Sequence, residues 1–513
     1  MLLIISDASV LIDIEHGELT SAMFSLPWQF AVPDVLFAEE LEERHGHLKQ
    51  FGLISKTIDS DLVNEAYNLR QKHVQTSVND LLALTLAKHE KCRLLTGDKA
   101  LRKVGSRLIF RLGPTDKALA NLINETCAET VFWNRRYEYY IRERDKRIQT
   151  SLRQFGIKAE TFNGSLLHEP WTVEKKSGGP FKVFTAFWNH CQRLPDPPKP
   201  LPTPKKIPGP IVWPASEIIE DLGLTPVPDW AGGLRKAWQP GSTGGSRCLR
   251  NFLKTAFGNY ATGRNLPAIE GTSRLSPYLH FGEISPRQIW HAVRQEAEHD
   301  GKTQWKSSQY ITELGWREFS NHLLYHFPHT DQKPLRPEFE RFRWRKNPEN
   351  LRAWQCGLTG YPIVDAGMRQ LWKTGWMHNR VRMITASFLV KDLLISWQEG
   401  AKWFWDTLVD ADLAQNSLGW QWTAGCGADA APFFRIFNPE IQGEKFDPEG
   451  DYIRRWVPEL RLVPRRWIHK PHRAPTEVLQ KAGVSLGKNY PEPIVSHIIA
   501  REVALETFAR LKQ

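Results

Sequence analysis

From Asp410 to Trp422 the chain reads Asp-Ala-Asp-Leu-Ala-Gln-Asn-Ser-Leu-Gly-Trp-Gln-Trp, which places two acids, a neutral amide and two indoles within thirteen residues. A carboxylate accepts hydrogen bonds from sugar hydroxyls or ring N–H groups, and an asparagine accepts them without adding charge. An indole stacks on a flat ligand or passes an electron; buried packing is its commoner use. Just upstream, Gly375-Trp-Met-His-Asn-Arg-Val-Arg-Met383 opens an apolar helical run in which Asn379 and Met383, four apart, share one face. Such a face suits a polar, flat, aromatic ligand. A second set of chemically capable residues stands near the start: Asp7, Glu39 or Glu40, Asp80 and Asp98, each beside an apolar run. Carboxylates gathered at the carboxyl ends of parallel strands could hold one or two Mg2+ or Mn2+ ions, which activate water and steady a leaving phosphate oxygen. Taken singly, each acid is a helix cap or a solvated charge.

Residues 376–392, Ser396-Trp397, residues 410–422 and Phe433-Phe-Arg-Ile-Phe-Asn-Pro439 closely resemble class I cyclobutane pyrimidine dimer photolyases, and the resemblance spans roughly residues 107–513. It implies a noncovalent FAD that, reduced and excited by light, gives one electron to a flipped-out pyrimidine dimer in DNA. Asn416 matches the position beside flavin N5. Tyr260, the loop Thr272-Ser-Arg-Leu-Ser276 (Ser273, Arg274 and Leu275 included), Arg317, Trp376, Asn379, Arg382, Asp410, Ala411 and Asp412 match the remainder of the FAD site. Without the other blocks, residues 272–276 would read as a helix-capping turn before Pro277. Glu313, Trp316, Met383 and Trp422 match the lesion pocket, with Glu313 on the thymine edge and the indoles as walls. Trp420, Trp397 and Trp344 match an electron chain from flavin to surface, and Arg264, Arg380 and Arg435 match phosphate contacts around the flipped nucleotides. Asparagine at 416 favours repair over a cryptochrome-like photoreceptor, the alternative function, because many plant cryptochromes carry an acid there and animal ones a cysteine. Met377-His378-Asn379 lacks the histidine pair of the (6-4) branch.

The first hundred residues lie outside that resemblance. Asp7 in Ile-Ser-Asp-Ala-Ser, Asp80 in Val-Asn-Asp-Leu-Leu and Asp98 in Leu-Thr-Gly-Asp-Lys, with Glu39 or Glu40, resemble PIN-domain nucleases. That likeness implies a metal-dependent ribonuclease, with RNA or an antitoxin-like protein as partner.

These residues need elements to position them. Residues 1–105 read as a small α/β domain with a strand at residues 2–6, helical patterns and a second apolar strand at 93–96. Residues 106–194 read as the remnant of a Rossmann-like antenna domain. It begins at Leu108-Ile-Phe-Arg-Leu-Gly-Pro-Thr, a strand and loop, and continues as strand patterns at 130–137 and 157–162 around a charged helix at 138–155, a rhythm that implies parallel strands. In the family this domain holds a folate or deazaflavin antenna. Here the first strands are missing and Tyr140-Ile141 replaces an Asn-Glu pair, so the antenna stays unassigned. Residues 195–243 form a linker whose first sixteen residues hold eight prolines. Residues 244–513 are expected to be all-helical, with amphipathic runs at 246–257, 286–297, 305–327 and 364–374.

Composition sets the outer bounds. A chain of 513 residues is too long for one core. Its net charge of +11 fits a phosphate-bearing partner but equally a basic solvated surface. Six scattered cysteines without a C-x-x-C indicate neither a disulfide scaffold nor a zinc or iron-sulfur site. With no apolar run of membrane length and no basic leader, a cytoplasmic monomer is expected.

Overall fold

The computed structural model describes residues 2–6, 8–16, 19–72, 76–95, 108–202, 213–299 and 305–511. The chain divides into two compact units, residues 1–129 with 202–225, and residues 130–201 with 226–513.

The first unit is built on four parallel strands, β1 (Leu2–Ser6), β2 (Trp28–Pro33), β3 (Ile54–Lys56) and β4 (Arg93–Leu95), in the order β3-β2-β1-β4. Leu2 pairs with Trp28, Ile4 with Arg93 and Ala31 with Ile54. Each parallel step needs a crossover: α1 (Ala8–His16) lies between β1 and β2, helical turns over residues 34–51 lie between β2 and β3, and α2 (Ser60–Lys72) with α3 (Val78–His89) lies between β3 and β4. Ile5, Leu11, Phe30, Val32, Leu36 and Leu86 are buried between sheet and helices. Sequence patterning names only two of these strands. β3 is three residues long, too short to show a period, and β2 ends in a proline that cannot donate to a ladder. The unit also contains α4 (Thr115–Thr126). Residues 108–112 do not form the strand expected of them. Instead Phe110 N–H donates to Ser216 Oγ (2.9 Å) and Phe110 O accepts from Glu217 N–H (3.0 Å).

The second unit begins with a two-stranded parallel sheet, β5 (Thr130–Asn134) and β6 (Lys158–Phe162), joined by α5 (Tyr139–Gln154). The remainder is helical. The elements that matter for function are α6 (Phe184–Cys191), α7 (Ser242–Thr255), α8 (Pro286–His299), α9 (Gln309–His326), α10 (Pro348–Cys356), α11 (Pro362–Thr374), α12 (Asn379–Ser387), α13 (Trp397–Thr407), α14 (Leu413–Ala424), α15 (Pro439–Phe446) and α16 (His497–Leu511). Their starts follow capping chemistry. Ser308, Asn347, His378, Ser396, Asp412 and Asn438 each accept a backbone N–H from the first turn through a side chain. The proline-rich connection is irregular where described, at residues 195–202; residues 203–212 lie outside the described set. It is not loose. Asp196 pairs with Arg294 (3.3 Å) and Lys306 (2.5 Å), and Pro197 O accepts from His291 Nε2 (2.9 Å) on α8.

A candidate flavin and lesion site in the helical unit

Helix α14 carries the site on one of its faces. Asn416 and Trp420, four apart, turn toward α13: Asn416 Nδ2 donates to Ala401 O at 2.9 Å. Trp420, 2% exposed, packs edge-on against Phe404 (5.0 Å) and against Trp354 of α10 (6.1 Å). Gly400 permits this approach, because a Cβ there would meet the Trp420 ring at 2.0 Å. The opposite face is fixed by Gln421, whose Oε1 accepts Leu335 N–H (2.9 Å) and whose Nε2 donates to Thr330 O and Lys333 O (2.8 and 2.9 Å). With Nδ2 turned to Ala401 O, Asn416 Oδ1 is held on the other side as an uncharged acceptor.

The acids at the start of α14 are held by cations. Asp410, buried, takes both oxygens to Arg382 Nη2 (3.1 and 2.8 Å), while Arg382 Nε donates to Met377 O (2.8 Å). Asp412 accepts Gln415 N–H (3.0 Å) as helix cap and lies 3.6 Å from His280 Nδ1. Burial works to raise the Asp412 carboxyl, but His280, Arg317 and the Gln415 N–H outweigh it and hold it below the usual carboxylate range. Gln415 Nε2 then donates to Arg317 O (3.1 Å), tying α14 to α9.

Residues 263–276 form the adjoining loop. Its neck is two glycines in contact, since a Cβ on Gly271 would sit 2.4 Å from Gly263 O. Arg274 lies in the left-handed region (φ 51°), unusual for a residue with a Cβ. Its guanidinium is sandwiched between Trp238 (4.6 Å) and Trp376 (5.1 Å). Tyr260 and Leu275 are buried, Thr272 and Ser273 half-buried, and Ser276 and Asn379 exposed. Ala411 is half-buried between the two acids. His378 is pushed down to about 4 by burial and by Arg380, Arg382 and Arg264, and is therefore neutral at pH 7. Its Nε2 and Arg274 Nε are buried without a partner among the described residues. Unsatisfied polar atoms beside a hydroxyl-bearing loop, an acceptor amide and an arginine-acid pair fit the phosphates, ribose and ring edge of FAD.

Helix α9, tied to α14 through Gln415, carries Glu313, Trp316 and Arg317, the first two expected at a lesion pocket. Glu313 Oε1 accepts from Arg264 Nη1 (2.6 Å) and from Gln309 Nε2 (2.7 Å). Arg380 Nη2 donates to Asn265 Oδ1 (2.6 Å), and its Nη1 lies 3.8 Å from Met383 Sδ. Trp316, half-buried, stacks face to face on Phe184 of α6 (3.8 Å, 8°), whose N–H donates to Asp429 Oδ2 (3.2 Å). Arg317 Nη1 donates to Ser165 O (2.5 Å). Beside it Glu318 is pushed up to about 7 by burial, although Arg317 and the N–H groups of Leu167 and His168 oppose the rise. Trp422 is half-buried and Arg435 exposed. Of the three indoles expected to carry electrons, Trp420 and Trp397 are buried at 2% exposure and Trp344 is half-buried against Phe342 (4.4 Å).

The helical part of the chain, residues 310–510, matches the FAD binding domain of DNA photolyase, and residues 93–205 match the DNA photolyase domain. A deoxyribodipyrimidine photo-lyase of Agrobacterium fabrum is 50% identical over 415 residues, 81% of this chain and 86% of that protein. The chain belongs to the DNA photolyase and cryptochrome family. Cryptochrome-1 of Arabidopsis thaliana is 41% identical over 78% of this chain and 60% of its own length. The crystal structure of a bacterial class III photolyase from Agrobacterium tumefaciens overlays with a TM-score of 0.76 at 41% identity, covering 100% of this chain and 98% of that one.

Two expectations gain no support. The full-length overlay on a class III photolyase lends nothing to a class I placement. It also takes in residues 1–105, so this photolyase-family chain needs no PIN-like domain to account for its parallel sheet. The Mg2+ or Mn2+ site expected there has no counterpart among the described residues, which contain no group of three or more His, Cys, Asp or Glu placed to hold a metal ion. Asn79 Nδ2 donates to both Glu39 (2.9 Å) and Glu40 (2.7 Å), and the Asp80 carboxylate accepts from Ser77 Oγ (2.6 Å), the cap of its own helix. Asp7 and Asp98 lie outside the described residues. Among the described residues no helix is long and apolar enough to cross a membrane. Sequence reading missed Phe184, Trp354, Gly400 and Gln421, which act through contacts between distant segments, and Gln309, whose four-residue spacing from Glu313 on one helix was the signal that could have found it.

Proposed function

We propose that this chain is a deoxyribodipyrimidine photo-lyase that removes cyclobutane pyrimidine dimers from DNA under light, with both FAD and lesion held by residues 244–513 and the proline-rich segment 195–243 as tether. The observation that carries this reading is Asn416, pinned through Nδ2 to Ala401 O so that Oδ1 is the atom left to accept a hydrogen bond. FAD, when bound, supplies a light-driven one-electron donor. The chain does the rest. Asn416 offers an acceptor that brings no charge to draw off a proton; Arg382 neutralises Asp410, and that pair would hold the ring edge, while Tyr260 and residues 272–276 would hold the phosphates. Trp316 has one face covered by Phe184, so only its opposite face is left for an unstacked base. Arg264, Arg380 and Arg435 supply positive charge for the flanking phosphates, and Trp420, Trp397 and Trp344 grade from buried to half-exposed, as a path for electrons from solvent requires.

Within the family the full-length overlay favours class III over class I. The second reading is a cryptochrome-like photoreceptor, favoured by the 41% identity to a plant cryptochrome. One assay separates them. Flavin-loaded protein illuminated with a dimer-containing oligonucleotide should clear the dimers in the light and leave them in the dark; a loaded protein that leaves them intact under light refutes repair.

A further inference from the structure

A cluster of guanidinium groups surrounds one ion pair on α9. Arg264 binds Glu313 at 2.6 Å, with side chains only 18% and 29% exposed. Arg380, half-buried, is held by Asn265, the residue next to Arg264 (2.6 Å). Arg264 and Arg435 are both near enough to Arg380 to lower its pKa, after burial, while Glu313 opposes them. Asp410, the other acid close by, is already committed to Arg382. The cluster is therefore short of negative charge, and Glu313 is the anion it has. That carboxylate is itself aimed: Gln309, one helical turn earlier, donates to the same oxygen at 2.7 Å and directs it at Arg264.

We propose that Glu313 is an internal competitor for DNA phosphate at Arg264, and that this competition sets the preference for damaged over undamaged DNA. The inference rests on the repair reading above. A backbone phosphate competes with the Glu313 carboxylate for the Arg264 charge, and one that takes Nη1 leaves the carboxylate half-buried without its ion pair, a costly state unless a further donor replaces the arginine. An undamaged duplex keeps its bases stacked and offers phosphate alone. A flipped dimer brings ring N–H groups into the pocket and satisfies the released carboxylate, so the exchange completes only on a lesion. Discrimination then comes partly from weakening the wrong complex, and Gln309 is a positioning residue for it.

The test is a set of anisotropy titrations in the dark, with one duplex carrying or lacking a thymine dimer, between 50 and 200 mM salt. In Glu313→Gln, Arg264 is free to take a phosphate. Affinity for undamaged duplex should rise about fivefold at the low-salt end, and the slope of log K against log salt should steepen by about 0.9, one further phosphate neutralised. Arg264→Ala added to Glu313→Gln should abolish both changes. Gln309→Ala should move undamaged binding the same way by a smaller factor, and it keeps the inference testable should Glu313→Gln fold poorly. Unchanged or weaker undamaged binding by Glu313→Gln with its flavin retained overturns the proposal, as does a gain that survives loss of Arg264. If the wild-type protein shows neither salt-dependent DNA binding nor photorepair, the repair reading itself fails, an outcome distinct from both.

Discussion

The approach of α13 to α14 is so close that a single methyl group should disturb the flavin side of the site. A Cβ at Gly400 would stand 2.0, 2.4 and 2.5 Å from Trp420 Cη2, Cζ3 and Cζ2, so the ring must retreat by about 1.5 Å to reach ordinary contact. It has nowhere to go. Phe404 and Trp354 hold it at 5.0 and 6.1 Å, and it is 2% exposed. The helices must part instead, which stretches the Asn416–Ala401 bond one residue along. Overpacking costs about 1 to 3 kcal/mol, and a 2.0 Å approach to a ring with no room to move belongs to the upper part of that range, about 2 to 3 kcal/mol; against a helix-propensity gain of about 1 kcal/mol for Gly→Ala, the net loss is about 1 to 2 kcal/mol. Gly419 on α14 is the matched control: it is exposed, and a Cβ there meets nothing within 4 Å. Gly419→Ala should stabilise by about 0.4 to 1 kcal/mol.

Thermal melts of both flavin-loaded variants, read by flavin fluorescence and by circular dichroism, should therefore shift in opposite directions. Trp420→Phe supplies an internal check, because the three clashing atoms belong to the outer ring of the indole, which phenylalanine lacks. Gly400→Ala combined with Trp420→Phe should lose less than the sum of the single changes. A Gly400→Ala protein as stable as wild type, or a double variant with strictly additive losses, would refute the claim that this helix contact sets the position of Trp420.

Trp420→Phe alone should block photoreduction of oxidised flavin while leaving repair by chemically reduced protein largely intact; equal loss of both would show that Trp420 does not act as a relay. Trp316→Ala should weaken binding to a dimer-bearing oligonucleotide about 5- to 150-fold, the equivalent of one base-aromatic stack worth about 1 to 3 kcal/mol, with undamaged DNA binding and flavin content unchanged, and equal weakening on both oligonucleotides would contradict a lesion contact. Lys391, 1% exposed, bridges Ala424 O and Phe433 O at 3.3 Å, and burial lowers it to about 7. Between pH 7 and 10.5 the unfolded chain keeps a proton that the folded one has released, so stability should rise with pH by about 1.4 kcal/mol per unit relative to Lys391→Met; parallel melting profiles from pH 7 to 9 would show that Lys391 stays charged.

The helical half was legible because its signals are local. Caps such as Ser308, Asn347 and Asp412 announce helix starts, and Asn379 with Met383, or Asn416 with Trp420, fall four apart on a face. Contacts between segments carry no such mark. Nothing near Phe184 says that its ring will cover Trp316, and nothing near Gly400 says that an indole from the next helix will fill the space of its missing Cβ. The same limit explains the acids of the first unit. Nothing near Glu39 and Glu40 says that Asn79, on a different helix, will donate to both carboxylates through its amide. Arg264 and Glu313 make the point from the other side. The resemblance gives each an expected role of its own, phosphate contact and base reader, and only the fold shows them bound to each other. Two groups that satisfy one another in the absence of DNA cannot be treated as two independent contacts with it, so the energy of each toward DNA has to be measured in the presence and absence of the other.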